Sequence, residues 1–112
     1  RSAHRPRTPG TTHVARAARR HRTPVLLDDM ISTGRTLVEA CRLLQTSGLP
    51  APVILAAHGI FASDAHADLR SAGAREVLTT DSIPNPAGRL SLAPLIAAAL
   101  ADFPAAARRT PA

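Results

Sequence analysis

Aromatic side chains are almost missing from this 112-residue chain, which has two phenylalanines, no tyrosine and no tryptophan. Its core must therefore be aliphatic, built from Ala, Leu, Val and Ile. A single cysteine, Cys41, excludes an internal disulfide and any cysteine-based metal site. No apolar run is long enough to cross a bilayer. No secretory-type segment is read either, so a cytoplasmic protein with no membrane attachment is expected. No acidic residue precedes Asp28, while Arg1, Arg5, Arg7, Arg16, Arg19, Arg20 and Arg22 make up half of the 14 basic residues. The formal charge of +6 thus resides in the amino-terminal stretch, and the remainder is nearly neutral. Such an arm attracts phosphate-bearing groups, or it is simply a solvated tail. Nucleic acid is not the expected partner.

A chain of this length supports one small domain with one core. The divisions expected are a basic arm or flexible loop over 1–22, a folded domain over 23–104 and a loose tail over 105–112.

The informative stretch is Val25-Leu26-Leu27-Asp28-Asp29-Met30-Ile31-Ser32-Thr33-Gly34-Arg35-Thr36-Leu37. Val25, Leu26 and Leu27 read as a strand buried on both faces. Asp28 and Asp29 are expected at its carboxyl end, where open α/β sheets bind ligands. Carboxylates there accept hydrogen bonds from vicinal sugar hydroxyls or hold Mg2+ through water. Ser32, Thr33 and Thr36 add hydroxyls, and Gly34 permits a positive φ and close backbone approach. The start of the following helix favours an anion. Together these suit a sugar phosphate. A plain strand-to-helix turn, with Ser32 or Thr33 as helix cap, is the competing explanation.

The segment from Asp28 to Thr36 resembles the ribose-phosphate motif of the type I phosphoribosyltransferase fold. Ala57-His58-Gly59-Ile60-Phe61-Ala62, Thr79-Thr80-Asp81-Ser82-Ile83-Pro84 and Leu90-Ser91-Leu92-Ala93-Pro94-Leu95-Ile96 resemble further segments typical of ribose-phosphate pyrophosphokinases, the PRPP synthetases. In order and spacing the four are similar to the carboxyl-terminal domain of that family. The resemblance implies a three-layer α/β domain with a mostly parallel sheet, flanking helices and a phosphoribosyltransferase-like architecture. It implies a ribose-phosphate diphosphokinase that makes PRPP from Mg-ATP and ribose 5-phosphate. Asp28 and Asp29 would then hold the ribose hydroxyls and an Mg2+ ion. Ser32, Thr33, Gly34, Arg35 and Thr36 would hold the 5-phosphate. Arg5-Pro6-Arg7 is similar to a loop in which a Lys-x-Arg pair closes over the ATP phosphates, which makes Arg5 and Arg7 candidate catalytic residues. Arg5 stands where that family has lysine, and the two side chains differ in shape and hydration.

The ATP-binding domain of that family has no counterpart in this sequence, so the chain is expected to be a fragment that is inactive alone. ATP would reach it through the missing domain, and the full-length protein is expected to form a homo-oligomer. Two alternatives remain: a phosphoribosyltransferase that consumes PRPP, and a non-catalytic regulatory or binding module.

The rest of the chain reads as alternating strands and helices. Leu37, Ala40, Cys41 and Leu44 give an apolar stripe to a helix over 35–45, ended by Gly48. Strands are expected over 53–57 and 76–79, with a helix over 65–72 between them, capped by Ser63 or Asp64 and stopped by Gly73. His58 either faces the active crevice or holds its loop, and the 80–84 loop either contacts ligand or serves the backbone. A short strand over 90–92 precedes a last helix whose apolar face is Leu92, Leu95, Ile96, Ala99, Leu100 and Phe103. A sheet this small has open edges and leans on another domain or subunit.

Overall fold

Aliphatic runs separated by glycine-ended helices generate an α/β chain, and the computed structural model describes residues 22–103 of it. Four strands and three helices follow in order: β1 (Val25–Ile31), α1 (Arg35–Thr46), β2 (Val53–Gly59), α2 (Ala65–Ser71), β3 (Glu76–Thr80), β4 (Gly88–Leu90) and α3 (Ala93–Ala101). The strands form one sheet in the order β1-β2-β3-β4, and every pairing is parallel. This agrees with the α/β class and parallel sheet expected from sequence, and it is consistent with a three-layer arrangement.

The strand order determines where the helices lie. Successive right-handed crossovers running in one direction place their helices on the same side of a sheet. Leu37 and Cys41 of α1, Leu69 of α2, Ile54 and Ala56 of β2 and Val77 of β3 accordingly share one core. Burial alternates over 53–56 of β2 and along β3, as the two-residue period of a strand requires. Burial pushes the Cys41 thiol above its ordinary value, and it packs as a small apolar side chain.

The opposite face differs from the expectation of a strand buried on both sides. Leu27 is 80% exposed and Val25 57% exposed. Among the described residues, nothing covers that part of the sheet. The last helix forms, with Pro94 in its first turn, but none of its residues is buried. Its apolar periodicity was legible, whereas Leu95, Ile96 and Leu100 of that face are exposed.

Glycines end the first two helices as expected. Gly48 and Gly73 have φ of 71° and 100°, in the left-handed region that glycine enters without steric cost. The start of α2 falls at Asp64 as expected, and that of α1 differs from expectation. Gly34 is the cap residue of α1 and Asp64 that of α2, and neither helix has a side-chain cap hydrogen bond. Ser32 and Thr33 therefore do not serve as caps.

Candidate functional site

β1 runs further than its apolar residues. Met30 pairs with His58 and Ile31 with Gly59, so the parallel ladder continues past the two aspartates. Asp28 and Asp29 thus lie inside the strand, where consecutive side chains point to opposite faces. The structure separates them accordingly. Asp28 lines a cavity of about 140 Å3 together with Ser32, Thr33, Gly34, Arg35 and Thr36. Asp29 does not reach that cavity, and lines a shallow groove with Leu27, Leu55 and Leu90 to which Asp28 also contributes. Asp28 is the residue common to both. Its Oδ1 accepts a hydrogen bond from the Asp29 amide at 2.9 Å, and among the described residues no donor meets Oδ2.

The cavity sits at the amino terminus of α1. Gly34 occupies the left-handed region at φ 70°, which turns the chain sharply from strand to helix. Val38 donates to the Gly34 carbonyl at 2.9 Å, so the amides before it meet no backbone acceptor of the helix. The first turn has no acidic side chain to neutralise its positive end. The side chains of Ser32, Thr33, Arg35 and Thr36 make no hydrogen bond or ion pair with other described residues. Five potential donor groups of different length therefore surround one small space: three hydroxyls, one guanidinium and the free helix amides. Chemically this suits a tetrahedral oxyanion.

The backbone that follows β2 lies directly behind this loop. Ile60 and Phe61 donate to the Ile31 carbonyl at 2.9 and 3.1 Å, and Ala62 donates to the Ser32 carbonyl at 3.0 Å. Sequence reading identified this segment by resemblance and assigned no role to its backbone. On the other side Leu69 of α2 stands 3.5 Å from where a Gly34 Cβ would be, so the loop is also held by packing.

His58 does not belong to the cavity. Its Nδ1 lies 2.6 Å from the Ser82 hydroxyl, which is also within reach of the Ala57 carbonyl at 3.3 Å. Within the 80–84 loop the Ser82 amide donates to the Thr80 hydroxyl at 3.2 Å. The Asp81 carboxylate accepts from the Leu92 amide at 2.9 Å, and this bond, with a further one from Ser91, holds its pKa below the ordinary 3.8.

Among the described residues, no group of three or more His, Cys, Asp and Glu side chains could hold a metal ion. A magnesium ion needs less: one or two carboxylates, with water and substrate oxygens completing its shell. The Asp28 carboxylate, which lines the cavity, fits that requirement, whereas Asp29 leaves the other face of β1. Arg5 and Arg7 lie outside the described residues. No helix among the described residues is long and apolar enough to cross a membrane.

Residues 7–101 match the family described as "Phosphoribosyl synthetase-associated domain". Among curated proteins the chain is 40% identical over 83 residues to a ribose-phosphate pyrophosphokinase of Bifidobacterium longum, covering 68% of this chain and 24% of that protein. It is 39% identical over 82 residues to one of Methanopyrus kandleri, covering 73% and 28%. It is 43% identical over 79 residues to one of Corynebacterium glutamicum, covering 65% and 24%. The chain spans about a quarter of the length of these relatives.

Proposed function

Because the chain belongs to the phosphoribosyl synthetase-associated family, we propose that it is the ribose-5-phosphate-binding part of a ribose-phosphate diphosphokinase. Its place would be the carboxyl-terminal, phosphoribosyltransferase-like domain of that enzyme. The observation that carries this reading is the small cavity at the start of α1, ringed by Ser32, Thr33, Arg35 and Thr36 and reached by Asp28.

In this reading the 5-phosphate enters the cavity. The first-turn amides and the three hydroxyls donate to its oxygens, and Arg35 adds a charge-assisted bond. Asp28 accepts from a ribose hydroxyl beside the phosphate. Asp29, on the other face of the strand, meets the sugar only where the ligand passes over the end of β1. Such contacts fix the C1 hydroxyl in one orientation, which is the principal service a protein renders in phosphoryl transfer. The C1 hydroxyl oxygen bonds to the β-phosphorus of ATP and releases its proton to solvent, the bond between that phosphorus and the α,β-bridging oxygen breaks, and AMP departs with that oxygen. Bound Mg2+ would neutralise the phosphate charge during that transfer, with Asp28 as its protein ligand and water and substrate oxygens completing its shell. Arg5 and Arg7 would close over the ATP phosphates, and ATP itself would be held by a further domain. The assembled enzyme would be a homo-oligomer.

The test is a phosphorus NMR titration of ribose 5-phosphate with this chain, followed by Mg-ATP. The expected result is saturable binding with no appearance of PRPP or AMP. A folded chain that leaves the ribose 5-phosphate resonance unmoved would refute the ribose-site reading.

A further inference from the structure

Three backbone hydrogen bonds tie residues 60–62 to the carbonyls that open the phosphate loop: Ile60 and Phe61 to Ile31, and Ala62 to Ser32. In a trans peptide the C=O and N–H of one plane point in opposite directions. A donor that captures the Ile31 carbonyl therefore turns the Ser32 N–H away from it. Capture of the Ser32 carbonyl does the same for the Thr33 N–H. Neither of these two amides has a backbone acceptor among the described residues.

The segment that makes these bonds is itself held in a costly shape. Phe61 has φ 50° and Ser63 has φ 54°, both in the left-handed region. A bulky residue there is a genuine outlier, and it persists only where its surroundings impose it. The surroundings are visible. The Phe61 ring packs against the core and meets the His66 ring edge-on, with centroids 5.3 Å apart. Its Cε2 fills the space that a Gly59 Cβ would need, only 2.5 Å from that position. The ring thus occupies a notch that glycine leaves open, and this seating fixes the backbone of 60–62.

From this we infer that Phe61 is a positioning residue for anion binding: seated against Gly59 and His66, it holds a strap that aims the Ser32 and Thr33 amides into the phosphate cavity. The inference rests on the ribose-phosphate reading of that cavity and adds to it two amide donors and the device that orients them. It touches no ligand itself.

The experiment uses the 15N-labelled chain with ribose 5-phosphate as probe. In the wild type, the Ser32 and Thr33 amide resonances are expected to move downfield on saturation. Phe61→Ala removes the seat, and Ala62→Pro removes the donor to the Ser32 carbonyl. Each is expected to weaken binding about tenfold and to abolish the shifts of those two amides. Leu44→Ala, a buried change at the far end of α1, serves as the control. It is expected to lower the thermal midpoint and leave affinity unchanged. Phe61→Gly accepts the left-handed φ without the ring, and affinity as low as in Phe61→Ala would assign the effect to the seat. If wild type binds and the Phe61 variants bind equally well, the strap has no positioning role. The same conclusion follows if the Ser32 and Thr33 amides ignore the ligand. If folded wild type binds no ribose 5-phosphate, the ribose-site reading itself fails, and the strap falls with it. Should Ala62→Pro not fold, the Phe61 variants and the wild-type amide shifts decide alone.

Discussion

The Nδ1 nitrogen of His58 lies 2.6 Å from the hydroxyl oxygen of Ser82, a contact that ties the end of β2 to the loop after β3. Thr80 strengthens the same tie by donating its hydroxyl to the Ala57 carbonyl. All these groups are exposed, and a net contribution of about 0.5–1.5 kcal/mol is the usual range for such a bond. Ser82→Ala is expected to lower stability at the small end of that range in urea titrations. Its ribose 5-phosphate affinity should equal that of wild type, because the pair stands outside the cavity. A tenfold loss of affinity in Ser82→Ala would show that His58 reaches the ligand after all.

Asp28 and Asp29 offer a sharper comparison. Only Asp28 shares the cavity with the phosphate loop. Asp28→Asn is expected to weaken ribose 5-phosphate by roughly tenfold or more, the usual effect of losing a charged hydrogen-bond partner. Affinity for inorganic phosphate should not fall, since that ligand has no hydroxyl beside the loop. Asp29→Asn should have the smaller effect on the ribose ligand. Calorimetric titration of both variants with both ligands separates these outcomes, and an Asp29 effect exceeding that of Asp28 would place the sugar on the other face of β1.

Gly59 is constrained by space. A Cβ there would stand 2.5 Å from the Phe61 ring and 2.9 Å from Thr79 Cγ2, and Thr79 is fully buried. Gly59→Ala should destabilise the chain by about 1–3 kcal/mol, the typical range for overpacking. Denaturant unfolding measures this directly. The expected accompaniment is a displaced Phe61, seen as loss of the aromatic ring-current shift at His66.

Asp81 anchors the entry to α3. Hydrogen bonds from the Leu92 amide and Ser91 lower its pKa in the folded chain. A group with a depressed folded pKa contributes stability above its unfolded pKa and loses it as pH falls through the folded value. The anchor should therefore be complete at neutral pH and be released only in acid, below the ordinary 3.8. Amide exchange of α3, corrected for intrinsic rates, is expected to rise over that acid range in wild type. In Asp81→Asn it should be high throughout and nearly free of that dependence.

How much of this was legible in the sequence depends on what kind of force decides each feature. Gly48 and Gly73 announce the ends of α1 and α2, because only glycine enters the left-handed region cheaply. The stripe of Leu37, Cys41 and Leu44 announces the buried side of α1, and those three residues are its buried ones. The end of β1 was hidden, because backbone pairing of Met30 with His58 extends the strand beyond its apolar residues. Side-chain pattern says nothing about such pairing, so the two aspartates read as a strand end when they are strand interior. The open side of the sheet was hidden for a related reason. Val25 and Leu27 are apolar whether or not anything covers them. Most remote from sequence was the φ of Phe61, since a phenylalanine in the left-handed region contradicts local preference and follows from the space beside Gly59.

The strand order β1-β2-β3-β4 also bears on how the fold assembles. Each strand needs only the one before it as a template, and none has to slip between two that are already joined. The sheet can grow from one end, like a row of tiles, as each strand leaves the ribosome. Every neighbouring pair is one crossover apart along the chain, which keeps the entropy of loop closure modest for a parallel sheet. A break in the backbone between α2 and β3 would divide the row without scattering it: one piece would keep the whole β1–β2 ladder and the phosphate loop, and the other would carry the remaining strands ready to rejoin at the exposed rim of β2.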